Sequence, residues 1–496
     1  MRIALLLPLL SLLLLPTASI VSAASAPASR FRAGFAERDI TPGIGMEAPG
    51  GYGKSFHRSF HDPCKVRAAV FDDGRSRVAL VGIDLLLVTR ALVQEARAEI
   101  TRRCGIPGSA VLIGASHSHS SGPIGMGEPG DFDSASPLVR ELALEKSVVS
   151  DPGYTQLLRR QIVEAVVLAD AARVDARLAV GVGHEDKVSF NRRVRMQGGL
   201  TFSHPGPGNP EIVGYAGPID PQVGTVGVWD LRDNLLGVIV NFSCHATTNP
   251  GGISANWIWA MERTLRGATG HAALPVVFLQ GASGDVTQVD NLSRFQRPPP
   301  REWCELVGGR VGAEAYKTLL LTRQGASRDI PLDTRLRVWN VRRRAPAAEK
   351  VRRALELVAQ GPAKAGATEW IFAKETVVLD HLLRVRPEVE VEVQHLPALD
   401  PHGLEQSEFG AVGGEHGRLR ARGGEVHPRR AGTSDPVGER PAEDVADALV
   451  LVRRDVALGV EDLVSEGILQ PLRDAHLAVA DEDARGVGPQ ARARQP

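Results

Sequence analysis

Short apolar runs alternate with amphipathic segments along residues 78–280, and this alternation restricts the fold more than any other feature of the chain. The runs at 78–83, 110–114, 178–182 and 274–279 have the length and composition of buried strands. Helical patterns occupy 90–103 and 151–172, where Asp151 and Pro152 form a start signal. A hairpin is predicted over 224–243, with its turn at 232–234. The sequence therefore predicts an α/β fold of mixed sheets with flanking helices, and it shows no internal repeat.

Three predicted strands run directly into polar clusters. The run at 110–114 continues into ASHSHSSGP, the run at 238–244 into HATTN, and the run at 274–279 into QGASGDVT. Because α/β sheets present ligands at the carboxyl ends of their strands, these clusters are predicted to form one functional site.

Histidines occur in two of these clusters. His117 and His119 form an H-x-H pair, which in an extended segment places both imidazoles on one side, and His245 follows another strand. Neutral imidazole is a common zinc ligand, and a catalytic zinc keeps one position open for water. Hydrogen-bonded core histidines are the alternative interpretation. His184, His204 and His271 lie in loop-like contexts and are predicted to be at the surface.

Four ordered motifs resemble those of the neutral ceramidase family: ASHSHSSGP at 115–123, FNRRV at 190–194, VNFSCHATTN at 240–249 and FLQGASGDVT at 278–287. AGFAERDITP at 33–42 and GIDLLLV at 82–88 are similar to the beginning of that family. The resemblance extends from about residue 31 to residue 393. It implies an amidohydrolase that uses one catalytic zinc to hydrolyse ceramide to sphingosine and a fatty acid.

The resemblance also implies roles for individual residues. His117 and His245 would bind zinc, His119 would contact the reacting amide or the water on the metal, and Arg192 would hydrogen-bond the substrate. Thr287 lies where the family has its proposed serine nucleophile.

The sequence departs from the family at this last position. Thr287 keeps a hydroxyl but adds a methyl group, and Gln288 replaces the family's proline. Since zinc can activate a water molecule and polarise a carbonyl at once, hydrolysis is predicted to need no protein nucleophile. Asp285, and in second place Asp84, would orient that water or a ligand histidine.

The composition changes towards the carboxyl end. After Lys374 the chain has no Lys, Tyr, Trp, Cys, Met or Asn, and residues 395–441 are dominated by Gly, Arg, Glu, Pro and His. Such a segment buries too little apolar surface to offset its ordering entropy. Residues 395–496 are therefore predicted to be an atypical flexible tail, with a helical pattern over 442–472. A change of reading frame is the alternative interpretation.

The resemblance to the family ends at the same place. The family takes its remaining zinc ligands, a glutamate and a tyrosine, from its later part. PEVEVEVQHLP at 387–397 resembles the strand before that glutamate, but no matching segment follows, and no tyrosine follows Tyr316. The sequence thus predicts a catalytic domain at 30–394, without the family's C-terminal β-sandwich domain.

The first residues have the pattern of a secretory signal peptide. Arg2 precedes an apolar run at 3–15, and small residues at 21–23 form an A-x-A-like cleavage site. The predicted signal peptide is 1–23 and the predicted location is secreted or periplasmic; an uncleaved membrane anchor is the alternative. In an oxidising compartment the four cysteines could form one or two disulfides or remain buried thiols.

The charge balance argues against nucleic-acid binding, because 58 basic residues face 58 acidic ones. The implied partner is a lipid amide; a peripheral contact with the membrane surface and the oligomeric state stay open. Two other functions also stay open: a related hydrolase acting on another amide or ester, and a non-catalytic binding relative whose site has decayed.

Overall fold

The computed structural model describes residues 31–125, 127–395 and 451–454. The predicted signal peptide and most of the predicted tail lie outside the described residues. The strands are β1 Arg32–Asp39, β2 Lys65–Asp72, β3 Arg77–Ile83, β4 Val111–Ala115, β5 Val174–His184, β6 Phe190–Asn191, β7 Arg193–Met196, β8 Thr201–Ser203, β9 Ile212–Tyr215, β10 Gln222–Asp230, β11 Leu235–Phe242, β12 Val276–Gln280, β13 Val286–Thr287, β14 Arg335–Arg342, β15 Glu388–His395 and β16 Leu451–Arg454. The helices are α1 Arg90–Cys104, α2 Pro137–Arg140, α3 Pro152–Ala171, α4 Trp257–Thr269, α5 Pro300–Thr322, α6 Ala348–Gln360, α7 Pro362–Ala365 and α8 Ala367–Val385.

One eight-stranded mixed sheet forms the centre of the molecule. Its strand order is β12-β11-β10-β5-β1-β2-β3-β4. The pairs β3–β4 and β11–β12 are parallel, and the other pairs are antiparallel. The predicted α/β class with mixed sheets and flanking helices is confirmed.

The two halves of this sheet have the same topology. In the first half, β1, β2 and β3 form an antiparallel meander, α1 leads to the parallel strand β4, and α3 follows. In the second half, β5, β10 and β11 form the meander, α4 leads to the parallel strand β12, and α5 follows. The antiparallel pair β1–β5 joins them. The fold therefore contains a structural repeat that the sequence does not display.

The halves face each other across an apolar layer. Side chains from both halves, including Phe71, Leu80, Val226 and Ile239, form one buried cluster between them. A Cβ atom at Gly82 of β3 would lie 2.3 Å from the carbonyl oxygen of Phe278 of β12, so the two backbones are in close contact there.

Helices cover the outer faces of the two halves. α1 and α3 pack on the first half, and α4 and α5 pack on the second. The result is four layers, with both parallel strand pairs ending at polar loops.

The two helices predicted from sequence are confirmed. α1 buries Leu92, Val93, Ala96 and Ile100 along one face, as an amphipathic helix does. The side chain of Asp151 caps α3 by accepting from the amide of Tyr154 at 2.7 Å. The predicted hairpin is β10–β11, whose strands are joined by residues 231–234.

A separate three-stranded antiparallel sheet contains β14, β15 and β16. Because Leu451–Arg454 is a strand, the helical pattern predicted across 442–472 is wrong at these four residues. Strand pairing with β15 supplies the hydrogen bonds that a helix would have made internally.

The four cysteines are free thiols, and Cys64, Cys244 and Cys304 are buried. The sequence left open whether the cysteines form disulfides or remain thiols, and in the structure they are thiols. Among the described helices, none combines the length and apolar composition that a membrane span needs.

Candidate metal centre

Three imidazoles converge where two strands of different halves end. His117 and His119 follow β4, and His245 follows β11. One ring nitrogen of each lies within 4.8 Å of the others, and the ring centroids of His117 and His245 are 4.6 Å apart. The fold thus brings together the three histidines that the strand-end pattern singled out.

Backbone carbonyls fix the orientation of all three rings through their Nδ1 atoms. A carbonyl oxygen only accepts, so each Nδ1 carries the proton and each Nε2 keeps its lone pair. The distances are 2.8 Å from His117 Nδ1 to Leu86 O, 2.9 Å from His119 Nδ1 to Gly50 O, and 2.6 Å from His245 Nδ1 to Ser283 O.

The Nε2 atoms of His117 and His119 are 3.2 Å apart. Two nitrogen lone pairs at this distance repel each other unless a proton or a cation lies between them. Two nitrogens bound to one tetrahedral zinc at 2.0–2.1 Å would be about 3.3 Å apart. The spacing therefore fits two ligands of a single metal ion.

Burial keeps these rings neutral. It lowers the pKa of His117 below its ordinary value, that of His119 to about 3, and that of His245 well below its ordinary value. A shared proton between the rings is thus disfavoured at neutral pH, and neutral imidazole is the form that binds a metal. His117, His119 and His245 could hold a metal ion and leave a fourth position open.

The extended geometry predicted for the H-x-H segment is wrong. β4 ends at Ala115, and His117 has a φ of 63°, in the left-handed region that residues other than glycine seldom adopt. Ser118 forms an isolated parallel bridge with Ala246, and the amide of His119 donates to Ala246 O at 3.2 Å. The turn at His117, held by the segment after β11, therefore sets the short distance between the two rings.

Gly50 completes the wall behind His119 and was not among the residues predicted from the sequence. Its φ is 99°, and a Cβ atom there would lie 2.6 Å from the Cβ of His119. Only glycine has both the conformation and the space for this close approach. The signal in the sequence is the run Gly50-Gly51-Tyr52-Gly53, which marks a turn but does not say what the turn packs against.

Arg192 lies beside this cluster through contacts with the loop after β12. Its amide donates to Asp285 O at 2.7 Å, and the side-chain amide of Asn191 donates to the Asp285 carboxylate at 3.0 Å. Burial lowers the pKa of the Arg192 guanidinium. The charge of Arg192 in turn contributes to the lowered pKa of His117. In the structure Asp285 holds the segment that carries Arg192. The carbonyl oxygen that orients His245 belongs to Ser283 and not to Asp285.

Thr287 is buried in a short strand pair with Phe190. Its hydroxyl oxygen accepts from the amide of Val289 at 3.1 Å, a local turn of the kind that Thr side chains often stabilise. The neighbouring Gln288 accepts from the Thr247 hydroxyl at 3.1 Å. This geometry gives Thr287 a structural contact, and its place among the catalytic residues stays a prediction.

His204 is not a surface residue, which corrects the prediction from its loop-like sequence. It is partly buried, has a φ of 53°, and its amide donates to Arg192 O at 3.2 Å. Burial lowers the pKa of its imidazole to about 4. A strained, desolvated histidine beside Arg192 is thus a further residue of this region.

The contacts of Asp84 are those of a buried ion pair, and they differ from what was predicted for a residue that orients a water molecule or a ligand histidine. Its carboxylate accepts from the amide of Lys65 and from Arg67 Nη1, both at 2.8 Å, and Arg67 also pairs with Glu262. Burial raises the pKa of Asp84 to about 6. These partners engage the carboxylate in a buried ion-pair network, which accounts for a charge within an apolar run.

Comparisons with known proteins agree with the motif pattern. The sequence is 26% identical over 312 residues to neutral ceramidase of Pseudomonas aeruginosa, covering 58% of this chain and 42% of that protein. No protein-family model matches the sequence. The crystal structure of neutral ceramidase from Pseudomonas aeruginosa matches with a TM-score of 0.47 and 22% identity, over 62% of this chain and 48% of the other. A ceramidase complexed with C2 matches with a TM-score of 0.46 and 22% identity, over 62% and 46%.

The chain thus spans less than half the length of the ceramidases that it matches. The sequence match confirms the resemblance to neutral ceramidases that the ordered motifs indicated.

Proposed function

We propose, from this sequence relationship, that the protein is a zinc-dependent hydrolase that cleaves the amide bond of an N-acyl lipid of the ceramide class. The observation that carries the proposal is the convergence of His117, His119 and His245, each with its Nδ1 proton directed to a carbonyl and its Nε2 free to bind. The proposed location is secreted or periplasmic, on the basis of the predicted signal peptide.

Zinc is the metal that best matches three neutral imidazoles at this spacing. When bound, it would lower the pKa of a water molecule towards 7 and polarise the substrate carbonyl. We assign His117 and His245 as ligands. His119 either completes the ligand set or contacts the reacting amide, because its Nε2 faces the same point as that of His117.

Arg192 has the charge to stabilise the oxygen of the amide as negative charge develops on it. Its position depends on Asp285, whose carbonyl and carboxylate hold the segment 191–192. We assign Arg192 to substrate binding and Asp285 to positioning.

Thr287 is the remaining residue that the family resemblance points to. Its hydroxyl oxygen already accepts a hydrogen bond within its own turn, and it lies in a buried strand pair. We therefore propose that water attacks the amide and that the threonine hydroxyl supports the loop after β12.

Metal analysis and hydrolysis assays of the purified full-length protein test the proposal. The wild type should contain about one zinc per chain and release fatty acid from a ceramide with a labelled acyl chain. His245→Ala and His117→Ala should lose both zinc and activity, whereas the exposed control His184→Ala should keep both. A wild type that binds no zinc would overturn the metal assignment.

The same assay separates the alternative substrates. Zinc binding with hydrolysis of short amides or esters but not of ceramide would identify a related hydrolase. Zinc binding without any hydrolysis would identify a binding relative.

A further inference from the structure

A glycine-rich loop forms the wall behind His119. Residues 47–56 make this loop, since Glu47 and Phe56 pair in an isolated antiparallel bridge. Its tip is Gly50-Gly51-Tyr52-Gly53, and Gly50 O accepts from His119 Nδ1 at 2.9 Å. Glycines lose more backbone entropy on ordering than other residues, so a tip with this composition needs contacts from outside the loop to stay in one conformation.

Lys374 of α8 supplies such a contact. Its ammonium group donates to Tyr52 O at 2.7 Å and to Ser147 Oγ at 2.5 Å, and pairs with Glu375 at 2.7 Å. The lysine side chain has no solvent-exposed surface. Lysine is almost never fully buried without compensation, because desolvation of the ammonium costs several kcal/mol, so its oxygen partners must be held in place.

α8 holds the loop at a second point. The ring of Phe372 lies 6.1 Å from the ring of Tyr52. Lys374 binds the carbonyl of Tyr52, and the carbonyl that fixes the His119 ring belongs to Gly50, two residues earlier. A continuous path of direct contacts links a helix more than 250 residues away in sequence to the Nδ1 atom of His119.

We propose that Lys374 is a positioning residue for His119. It holds the tip of the 47–56 loop against the imidazole, so that Nδ1 donates to Gly50 O and Nε2 faces His117 and His245. This proposal rests on the proposed metal site for its functional consequence, but the ordering of the loop by Lys374 is independent of any metal. Loss of the ammonium should free the tip, allow the ring to rotate and weaken metal binding.

Lys374→Met in the full-length protein tests this inference, because methionine has a similar length and no charge. The backbone order parameters of residues 50–54, measured by NMR relaxation without metal, should fall from the rigid range of about 0.85 to below about 0.6. The dissociation constant for zinc, from competition with a chromophoric chelator, should rise about 10-fold, at the lower end of the 10–100-fold range for outer partners of metal ligands.

Arg386→Gln is the matched control. Arg386 caps the same helix and pairs with Asp131 at 2.8 Å, so its loss weakens α8 at a point away from the 47–56 loop. This variant should keep wild-type order parameters at 50–54 and wild-type zinc affinity. Should Lys374→Met fail to fold, Lys374→Gln, which retains a neutral donor, should show the same two changes.

Lower stability of the Lys374 variants with unchanged order parameters at 50–54 would assign the lysine to general folding and overturn the proposal. Lower order parameters at 50–54 with unchanged zinc affinity would also overturn the positioning role. If the wild type itself binds no zinc, the proposed function fails, and the order parameters of the metal-free protein still decide whether Lys374 orders the loop.

Discussion

Substitution of Gly50 by alanine tests the candidate metal centre through its closest backbone contact. A Cβ atom at Gly50 would lie 2.6 Å from the His119 Cβ and 2.7 Å from its Nδ1, against about 3.4 Å for ordinary contact. The imidazole or the loop must therefore retreat by about 0.8 Å. Metal–ligand distances tolerate only about 0.2 Å, so the ring would leave the position that it shares with His117.

Two costs add in this variant. The φ of 99° strains alanine by about 1–2 kcal/mol, and the added methyl group costs about 1–3 kcal/mol in a packed site. The free energy of unfolding should fall by about 2–5 kcal/mol if both costs are felt in full. Movement of the Gly50 carbonyl away from His119 Nδ1 should raise the zinc dissociation constant by about 10–100-fold.

Gly51→Ala is the control, because it changes the same loop without these costs. The nearest atom to a Cβ at Gly51 is 3.9 Å away, and its φ lies outside the left-handed range. Urea unfolding measures the stability of both variants, and chelator competition measures their zinc affinity. Equal zinc affinity in Gly50→Ala, Gly51→Ala and the wild type would falsify the assignment of His119 to the metal centre.

Three other predictions concern single side chains. Arg192→Gln should leave the zinc content unchanged and lower kcat/KM by about 10–100-fold, as expected for a lost hydrogen bond from a charged donor; unchanged kinetics would exclude its contact with substrate. Thr287→Ala should reduce turnover less than about tenfold, whereas a loss of several orders of magnitude with zinc and folding intact would make its hydroxyl the nucleophile. His204→Asn should flatten the pH dependence of stability. Because the folded pKa of His204, about 4, lies below the unfolded value of 6.5, the wild type has its full stability above pH 6.5 and loses at most about 1.4 kcal/mol per pH unit as the pH falls towards 4. Urea unfolding at pH 5 and pH 7 measures this, and an unchanged slope in His204→Asn, relative to the exposed control His184→Asn, would contradict it.

The local pattern of the chain predicted six of the eight strands of the central sheet, all except β1 and β2. The apolar runs became β3, β4, β5 and β12, and the helical faces became α1 and α3. Each of these assignments depends on residues that are close in sequence, where periodicity and capping act. The pairing of β1 with β5, which joins the two halves, depends on contacts about 140 residues apart and has no local signal.

The candidate site likewise contains residues that could be predicted from local sequence and residues that could not. His117, His119 and His245 were predictable because each follows a recognisable buried strand, and the rule on strand ends placed them together. Gly50 and Lys374 were not, because their relevance arises only when a loop and a distant helix pack on the site. His204 was misassigned because a loop-like sequence says nothing of what covers it.

The two parallel strand pairs bring the two predicted zinc ligands together, although these ligands follow strands that are not equivalent in the topological repeat. His117 follows β4 in the first half and is fixed by Leu86 O from the loop after β3, its parallel neighbour. His245 follows β11 in the second half and is fixed by Ser283 O from the loop after β12, again the parallel neighbour. Each half therefore contributes one histidine and the carbonyl that orients it. His119, in contrast, takes its carbonyl from the 47–56 loop, outside either strand pair. The position of the third imidazole consequently depends on the least regular part of the site, which is where substitutions at Gly50 and Lys374 should act most strongly.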